Sequence, residues 1–286
     1  MMKKIISLAL VITGALSLHA QAQAPGLPLP QASSPLFTDS ISKQQHAVTG
    51  AVFLIGCNGT RNGTGFLHRS GNLITADHVV KGCQDISVVR PDGPGRGLGI
   101  PASIVAEDGE LDIVVLKPKI PLHDVPLELS TVDAPGPGSL VTTWGFPGGY
   151  YGFDPIVSVG YFSGSDLVRT SSGKLVKHWV VNAAFNRGNS GGPLIDVETG
   201  AVIGVVDSKI VPLSQQTHTA LAALANEPSG VMYTATRSDG TPVQMTEAQV
   251  VQSVLSDLVL QLQLVIGTAV PSTTVREFLK QHGIDP

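Results

Sequence analysis

Three residues in this chain have the types and surroundings needed to attack a carbonyl carbon: His78, Asp112 and Ser190. Ser190 lies in Asn186-Arg187-Gly188-Asn189-Ser190-Gly191-Gly192-Pro193-Leu194. A serine so densely flanked by glycine can sit at the tip of a tight turn, with its hydroxyl exposed and neighbouring backbone N–H groups aimed at one point. That is the donor arrangement a tetrahedral oxyanion requires. A serine hydroxyl is a weak nucleophile near neutral pH, so a base must take its proton. The base in turn needs a carboxylate to fix its tautomer and stabilise the imidazolium. His78 stands where the apolar run Leu73-Ile74-Thr75-Ala76 gives way to a short helical turn. Asp112 is the last polar residue before Ile113-Val114-Val115-Leu116, and Asp108 and Glu110 in the same loop are rivals for the acid. Taken singly, each has a plain alternative, since the GNSG segment also fits a surface turn and a histidine at a strand end is often structural. The ordered set is the more specific signal.

The elements that must position these residues read as short strands. The 286-residue chain has 32 Gly, 20 Pro, only 5% aromatic and 14% charged residues, and many Val/Ile/Leu/Thr runs, a pattern of many strands and turns. Its length suits one large β domain or two small barrels. A formal net charge of -4 gives no basic field for nucleic acid. Strands are expected from Ala47 to Ile55, Thr64 to His68, Leu73 to Ala76, Ile86 to Arg90, Ile100 to Val105 and Ile113 to Leu116, the last buried on both faces. A proline-rich connection, Pro118 to Pro137, separates them from Ser139 to Trp144, Ile156 to Phe162, Leu175 to Val181, Leu194-Ile195 and Ala201 to Val206. Beyond Asp207 the pattern changes to a helix from Ser214 to Ala225 and a hairpin around Ser238-Asp239-Gly240. A helix capped by Thr246 and Gln249 follows. The stripe of that helix, Val250, Val251, Val254, Leu255, Leu258, Val259 and Leu262, is expected to pack on the domain rather than on a partner or membrane. Ile266 to Pro271 closes the β part, and Ser272 caps a final helix through Lys280.

At the N-terminus, Lys3-Lys4, an uncharged apolar run from Ile5 to Leu18 and two small-x-small sites form a signal peptide over 1–24, with cleavage after Ala22 or Ala24. The run is shorter than the ~20 residues of a spanning helix, so no membrane span is expected in the mature chain. Residues 25–45, rich in Pro, Ser, Gln and Ala, read as a linker. In an oxidising compartment Cys57 and Cys83 are expected to form one disulfide, two buried free thiols being the alternative. Two thiols without further soft ligands make a poor zinc site.

With these segments in place the chain resembles trypsin-like serine endopeptidases, and among them the bacterial HtrA/Deg-like branch. The resemblance rests on Thr64-Gly65-Phe66, Leu73-Ile74-Thr75-Ala76-Asp77-His78-Val79-Val80, and Leu111-Asp112-Ile113-Val114-Val115-Leu116-Lys117. It continues through Trp144-Gly145-Phe146-Pro147-Gly148, Val157-Ser158-Val159-Gly160, Ala183 to Asn186 with Gly188 to Leu194, and Ile266 to Ser272. It implies an all-β fold of two six-stranded antiparallel Greek-key barrels over 46–286, the first about 46–125 and the second about 126–286. A helical and hairpin insertion at about 207–264 and a C-terminal helix complete it, with no length left for a PDZ domain. It implies hydrolysis of peptide bonds in exported, periplasmic or secreted form, on protein or peptide substrates, through a His78, Asp112, Ser190 triad and an acyl-enzyme. The backbone N–H groups of Gly188 and Ser190 would form the oxyanion hole, and no metal or organic cofactor is called for. The alternative is an inactive protease-fold scaffold whose groove the insertion closes. An esterase with a different fold fits poorly, since the order His, Asp, Ser differs from the Ser, acid, His order of α/β-hydrolases.

Three positions depart from the family pattern. Asp77 replaces an alanine beside the histidine, Arg187 stands where this branch often has proline, and Asp207 takes the place of a small hydroxyl residue near the acid. Two carboxylates so close would raise the pKa of one. By the same pattern Ala184 lies near the base of the primary specificity pocket, favouring small or medium apolar side chains. Lys209, near the wall, offers acidic side chains as a second possibility.

Overall fold

In the computed structural model, the residues described are 47–93, 95–132, 135–209, 215–236, 240–261 and 266–286. The signal peptide and the linker read from the sequence fall outside them.

Alternating and doubly apolar runs in the first half become six strands: β1 (Val52–Cys57), β2 (Thr60–Leu67), β3 (Leu73–Thr75), β4 (Ile86–Pro91), β5 (Gly97–Asp108) and β6 (Ile113–Pro118). They close into a barrel in the order β1-β2-β3-β6-β5-β4 with antiparallel neighbours. β3 thus pairs with β6 and β4 returns to β1, a Greek-key path that closes the sheet and leaves no open edge. Ile113, Val114, Val115 and Leu116 are all buried, as the unbroken apolar run requires. With Phe66, Leu73 and Ile74 they fill the barrel, each such side chain contributing roughly 1.5–3 kcal/mol over its exposed state.

The second barrel repeats this path. β7 (Leu140–Gly145), β8 (Ile156–Arg169), β9 (Leu175–Asn182), β10 (Pro193–Asp196), β11 (Val202–Lys209) and β14 (Gly267–Pro271) close in the order β10-β11-β14-β9-β8-β7. Its interior holds Val141, Phe162, Trp179, Val181, Leu194 and Ile203, with Phe162 and Trp179 in edge contact at 5.5 Å. The connection between barrels is stitched to both: Leu127 pairs with His68, and Leu129 with Val202.

Between β11 and β14 the chain forms α2 (Gln215–Ala225), the hairpin β12 (Met232–Thr236) and β13 (Pro242–Thr246), and α3 (Glu247–Gln261). The capping box at the start of α3 is formed. The Thr246 N–H donates to Gln249 Oε1 at 2.9 Å and the Gln249 N–H to Thr246 Oγ1 at 3.3 Å.

Three local expectations are corrected. The first strand begins at Val52, because 47–51 form a helical turn that buries Val48 and Ala51 against the core. The stripe of α3 is not buried on the domain as expected: the main neighbours of α3 are α2 and β13, and Val251, Val254, Leu255 and Leu258 remain exposed. Leu262 lies outside the described residues. The last helix, α4 (Ser272–Gln281), has Pro271 rather than Ser272 at its N-cap and no side-chain cap. Its hold is tertiary instead, through buried Val275, Phe278 and Leu279.

Candidate active site

His78 sits in α1 (Asp77–Val80), the single turn that follows β3. The turn is anchored by a bridge between Cys57 at the end of β1 and Cys83, with Cα atoms 5.4 Å apart. Asn58 reinforces it, its Oδ1 accepting the N–H groups of Gln84 at 2.9 Å and Asp85 at 3.0 Å. Asp112 immediately precedes β6 and has a left-handed backbone (φ 54°). Aspartate is one of the few residues that tolerate this conformation, and strain of this kind clusters at functional sites. It lets both carboxylate oxygens engage one residue. Oδ1 accepts the His78 backbone N–H at 2.8 Å and Oδ2 faces the ring Nδ1 at 2.7 Å. A proton held on Nδ1 leaves Nε2 as the basic nitrogen. The His78 side chain is 48% exposed against 22% for Asp112, so the ring can meet a ligand while the carboxylate is sheltered.

The electrostatics follow. The hydrogen bond to Asp112 holds the His78 pKa above its ordinary value against the opposing effect of burial, helped by the charges of Asp112, Asp207 and Asp77. Burial works against the Asp112 carboxylate, but the hydrogen bonds and positive charge of His78 outweigh it and leave Asp112 below its usual range. The rival acids are engaged elsewhere. Asp108 Oδ1 accepts the N–H groups of Glu110 and Leu111 and so closes the loop, while Glu110 takes the Ser172 hydroxyl at 2.8 Å. Asp77 is buried, its pKa raised by that burial and then by the charge of Asp112.

The Ser190 loop is set by its glycines and by one threonine of the other barrel. At Gly188 (φ 99°) a Cβ would come within 2.3 Å of the Phe146 carbonyl oxygen. At Gly191 (φ 82°) it would lie 2.0 Å from Thr75 Oγ1 and 2.8 Å from the Ala76 nitrogen. Both sites therefore require glycine, and the second brings the loop against the segment leading to His78. Arg187, whose effect on this loop the sequence left open, has its carbonyl taken up by the Gly148 N–H at 2.6 Å. In a trans peptide this turns the Gly188 N–H the opposite way. No hydrogen bond among the described residues takes up the N–H of Gly188 or of Ser190.

Thr64, fully buried between two glycines of β2, carries no sequence signal for chemistry of its own. Its Oγ1 donates to the Gly188 carbonyl at 2.6 Å and accepts the Phe146 N–H at 3.1 Å, while its own N–H donates to the Ser190 carbonyl at 2.9 Å. Thr64→Val, which keeps the shape and removes the hydroxyl, leaves a buried carbonyl and a buried N–H unpaired. We expect it to destabilise the fold by about 2 kcal/mol, read from thermal melts, and to lower kcat about 10-fold or more with a smaller change in KM.

Asp207, in β11, reaches the same place. Its carboxylate lies within 4.8 Å of ligand atoms of both His78 and Asp112, shares a hydrogen bond with Asp112, and accepts from Thr268 Oγ1 at 3.3 Å. The three side chains could each offer one atom to a cation, but the His78 nitrogen and Asp112 oxygen nearest each other are already engaged together. Behind Asp207 lies His178, buried, with Nε2 3.6 Å from Asp207 Oδ2. The only sequence signal for His178 is strand alternation, which puts it on the same face of β9 as buried Val176.

The residues expected to set specificity are less defined. Ala184 is half-buried, its carbonyl accepting Asn189 Nδ2 at 3.4 Å. The Lys209 backbone pairs with Gly267, and its side chain lies outside the described residues. A cavity of about 230 Å³ opens beside Gly188, walled by Arg61, Asn62, Gly63, Phe146 and Tyr150, and neither Ala184 nor Lys209 lines it.

This arrangement has counterparts among known proteins. The chain is 35% identical over 153 residues to a putative serine protease, HhoB, of Synechocystis, and 32% identical over 145 residues to a probable periplasmic serine endoprotease, DegP-like, of Chlamydia pneumoniae. Each match covers 50% of this chain, and the aligned segments span about a third or less of those relatives, 33% and 28%. The active form of the Rv3671c protease of Mycobacterium tuberculosis superposes with a TM-score of 0.56 over 91% of this chain and 96% of that one. At 20% identity, that likeness speaks to the fold. Residues 63–205, half of the chain, match the model of the trypsin-like peptidase domain, and the chain belongs to that family.

Proposed function

We propose that the chain is an exported serine-type endopeptidase acting on proteins or peptides. In this reading His78 Nε2 takes the proton from Ser190 Oγ as that oxygen attacks the scissile carbonyl carbon. Asp112 holds the imidazole in the productive tautomer and stabilises its charged form. The carbonyl oxygen becomes an oxyanion bound by the N–H groups of Gly188 and Ser190. Collapse breaks the C–N bond, the amine leaves with the proton from His78, and an acyl-enzyme remains on Ser190. Water, deprotonated by His78, then attacks the ester, and Ser190 recovers its proton as the acid product departs.

The observation that carries the reading is the two-point grip of Asp112 on His78, together with a glycine-shaped Ser190 loop whose Gly188 and Ser190 N–H groups no described residue takes up. The names of the relatives support the same class of activity. Export is supported by the signal-peptide pattern of the first 24 residues, by the Cys57–Cys83 disulfide and by the word periplasmic in the name of one relative. No helix among the described residues is long and apolar enough to cross a membrane.

The test is covalent labelling by a fluorophosphonate probe. Ser190 is expected to be modified in the wild type, as located by mass spectrometry, and labelling is expected to vanish in His78→Ala. A folded wild type that neither labels nor cuts a peptide library would overturn the reading.

The pH dependence has a definite sign. The base must be neutral to accept a proton, and the His78 pKa is raised, first by its hydrogen bond to Asp112. The imidazole therefore stays charged to higher pH than a free histidine. The acid limb of kcat/KM is expected to have its midpoint above about 6.5, measured as a pH–rate profile.

A further inference from the structure

Asp207 stands outside the three-residue scheme and yet touches it. It comes from β11 of the second barrel and places a carboxylate oxygen within 4.8 Å of ligand atoms of both His78 and Asp112. A second carboxyl group in hydrogen-bonding contact with a catalytic acid has two distinct states. Protonated, it can donate to Asp112; ionised, it adds a negative charge beside the imidazole. Its surroundings favour the first state in mild acid. Burial, then the charge of Asp112, push the Asp207 carboxyl up to about 6.

The groups that face it can be named element by element. From the first barrel come Asp112 at the head of β6 and His78 in α1, with Asp77 next to His78 adding its charge. From β9 comes His178, kept below its ordinary pKa by burial and therefore neutral at pH 7, with Asp166 of β8 beyond it. From β14 comes the Thr268 hydroxyl, which donates to Asp207 Oδ2. Among the described residues, the charges acting on Asp207 are those of Asp112 and then His78.

We propose that Asp207 is a positioning residue that extends the His78–Asp112 pair into a three-membered chain, holding Asp112 from behind when protonated and adding a second negative charge beside His78 when ionised. This rests on the reading of His78 as base and Asp112 as its acid partner, and goes beyond it by making the base strength of His78 depend on two carboxyl groups. The ionised form of Asp207 makes the imidazole a stronger base. It also delays the appearance of neutral imidazole to higher pH.

The experiment follows the His78 ring directly, by NMR titration of the full chain, with the resonance assigned through His78→Gln. In the wild type two inflections are expected, because the ring senses Asp207 losing its proton as well as losing its own. In Asp207→Asn and Asp207→Ser, which keep a neutral donor, one inflection is expected, with its midpoint lower by about one pH unit. The acid limb for fluorophosphonate labelling is expected to move with it. Thermal melts give an independent readout. Stability lent by the Asp207 proton is fully present below about pH 4 and lost as pH rises through about 6, so Asp207→Asn is expected to gain on the wild type between those values and to match it below them.

A His78 midpoint that is unchanged in both variants would overturn the proposal, as would a single wild-type inflection with melts that differ equally at all pH. Should either variant fail to fold, the wild-type titration decides alone. Should no protein label at any pH while the His78 midpoint shifts as expected, the chain of three groups stands and the peptidase reading falls.

Discussion

Ser190→Ala is expected to lower kcat for peptide-bond hydrolysis by about 10⁶-fold and to leave KM and the melting temperature near those of the wild type. The size follows from the loss of the covalent route. Without Oγ only substrate binding and the oxyanion donors remain, which in enzymes of this design still give roughly 10³- to 10⁴-fold over the uncatalysed rate. The fold is spared because the contacts Ser190 makes in holding the loop are backbone ones. Its carbonyl accepts the Thr64 N–H, and its neighbour Gly191 donates to the Val206 carbonyl at 2.7 Å. Turnover of a peptide library, probe labelling and a melt together check the prediction. Activity within tenfold of the wild type would place the nucleophile elsewhere.

Asp112→Asn is expected to cost about 10⁴-fold in kcat near neutral pH with little loss of stability. Asparagine shares the tolerance of aspartate for φ near 54°, and its amide oxygen can still accept the His78 backbone N–H. The amide nitrogen then faces the ring where a carboxylate oxygen had been. A donor in that place requires Nδ1 to be the acceptor, which moves the proton to Nε2, the atom that should receive the one from Ser190. The pair is thus intact in shape and reversed in polarity. A melt within about 1 kcal/mol of the wild type combined with the rate loss is the expected signature, and a loss below tenfold would remove Asp112 from the role of catalytic acid.

Much of this architecture is legible in the order of the residues. Strand periodicity and the unbroken Ile113 to Leu116 run give most of the twelve barrel strands. The glycines around Ser190 mark a loop that no side chain could enter, and the position of Asp112 before a buried strand distinguishes it from Asp108 and Glu110. What periodicity does not convey is contact between elements distant in sequence. Thr64 looks like any threonine in a strand, and only the docking of the two barrels brings its hydroxyl to Gly188, 124 positions away. His178 carries no motif at all. The α3 stripe shows the reverse failure: an apolar face is a property of the helix, but what covers it is decided by where α2 and the β12–β13 hairpin place it. The family resemblance likewise implies a place for Asp207 near the acid without giving the direction of its side chain, and that direction turns an oddity into a contact.

The Thr64 clamp has a consequence for when the protein can act. The nucleophile loop comes from the second barrel, while the hydroxyl that holds its Gly188 carbonyl comes from the first, as do His78 and Asp112. In the proposed mechanism neither half carries a working site, since a chain with only one barrel formed would hold either the serine without its base or the base without its serine. On the proposed mechanism, competence therefore requires both halves to be folded and docked, and a partly folded chain is expected to be inert toward its neighbours.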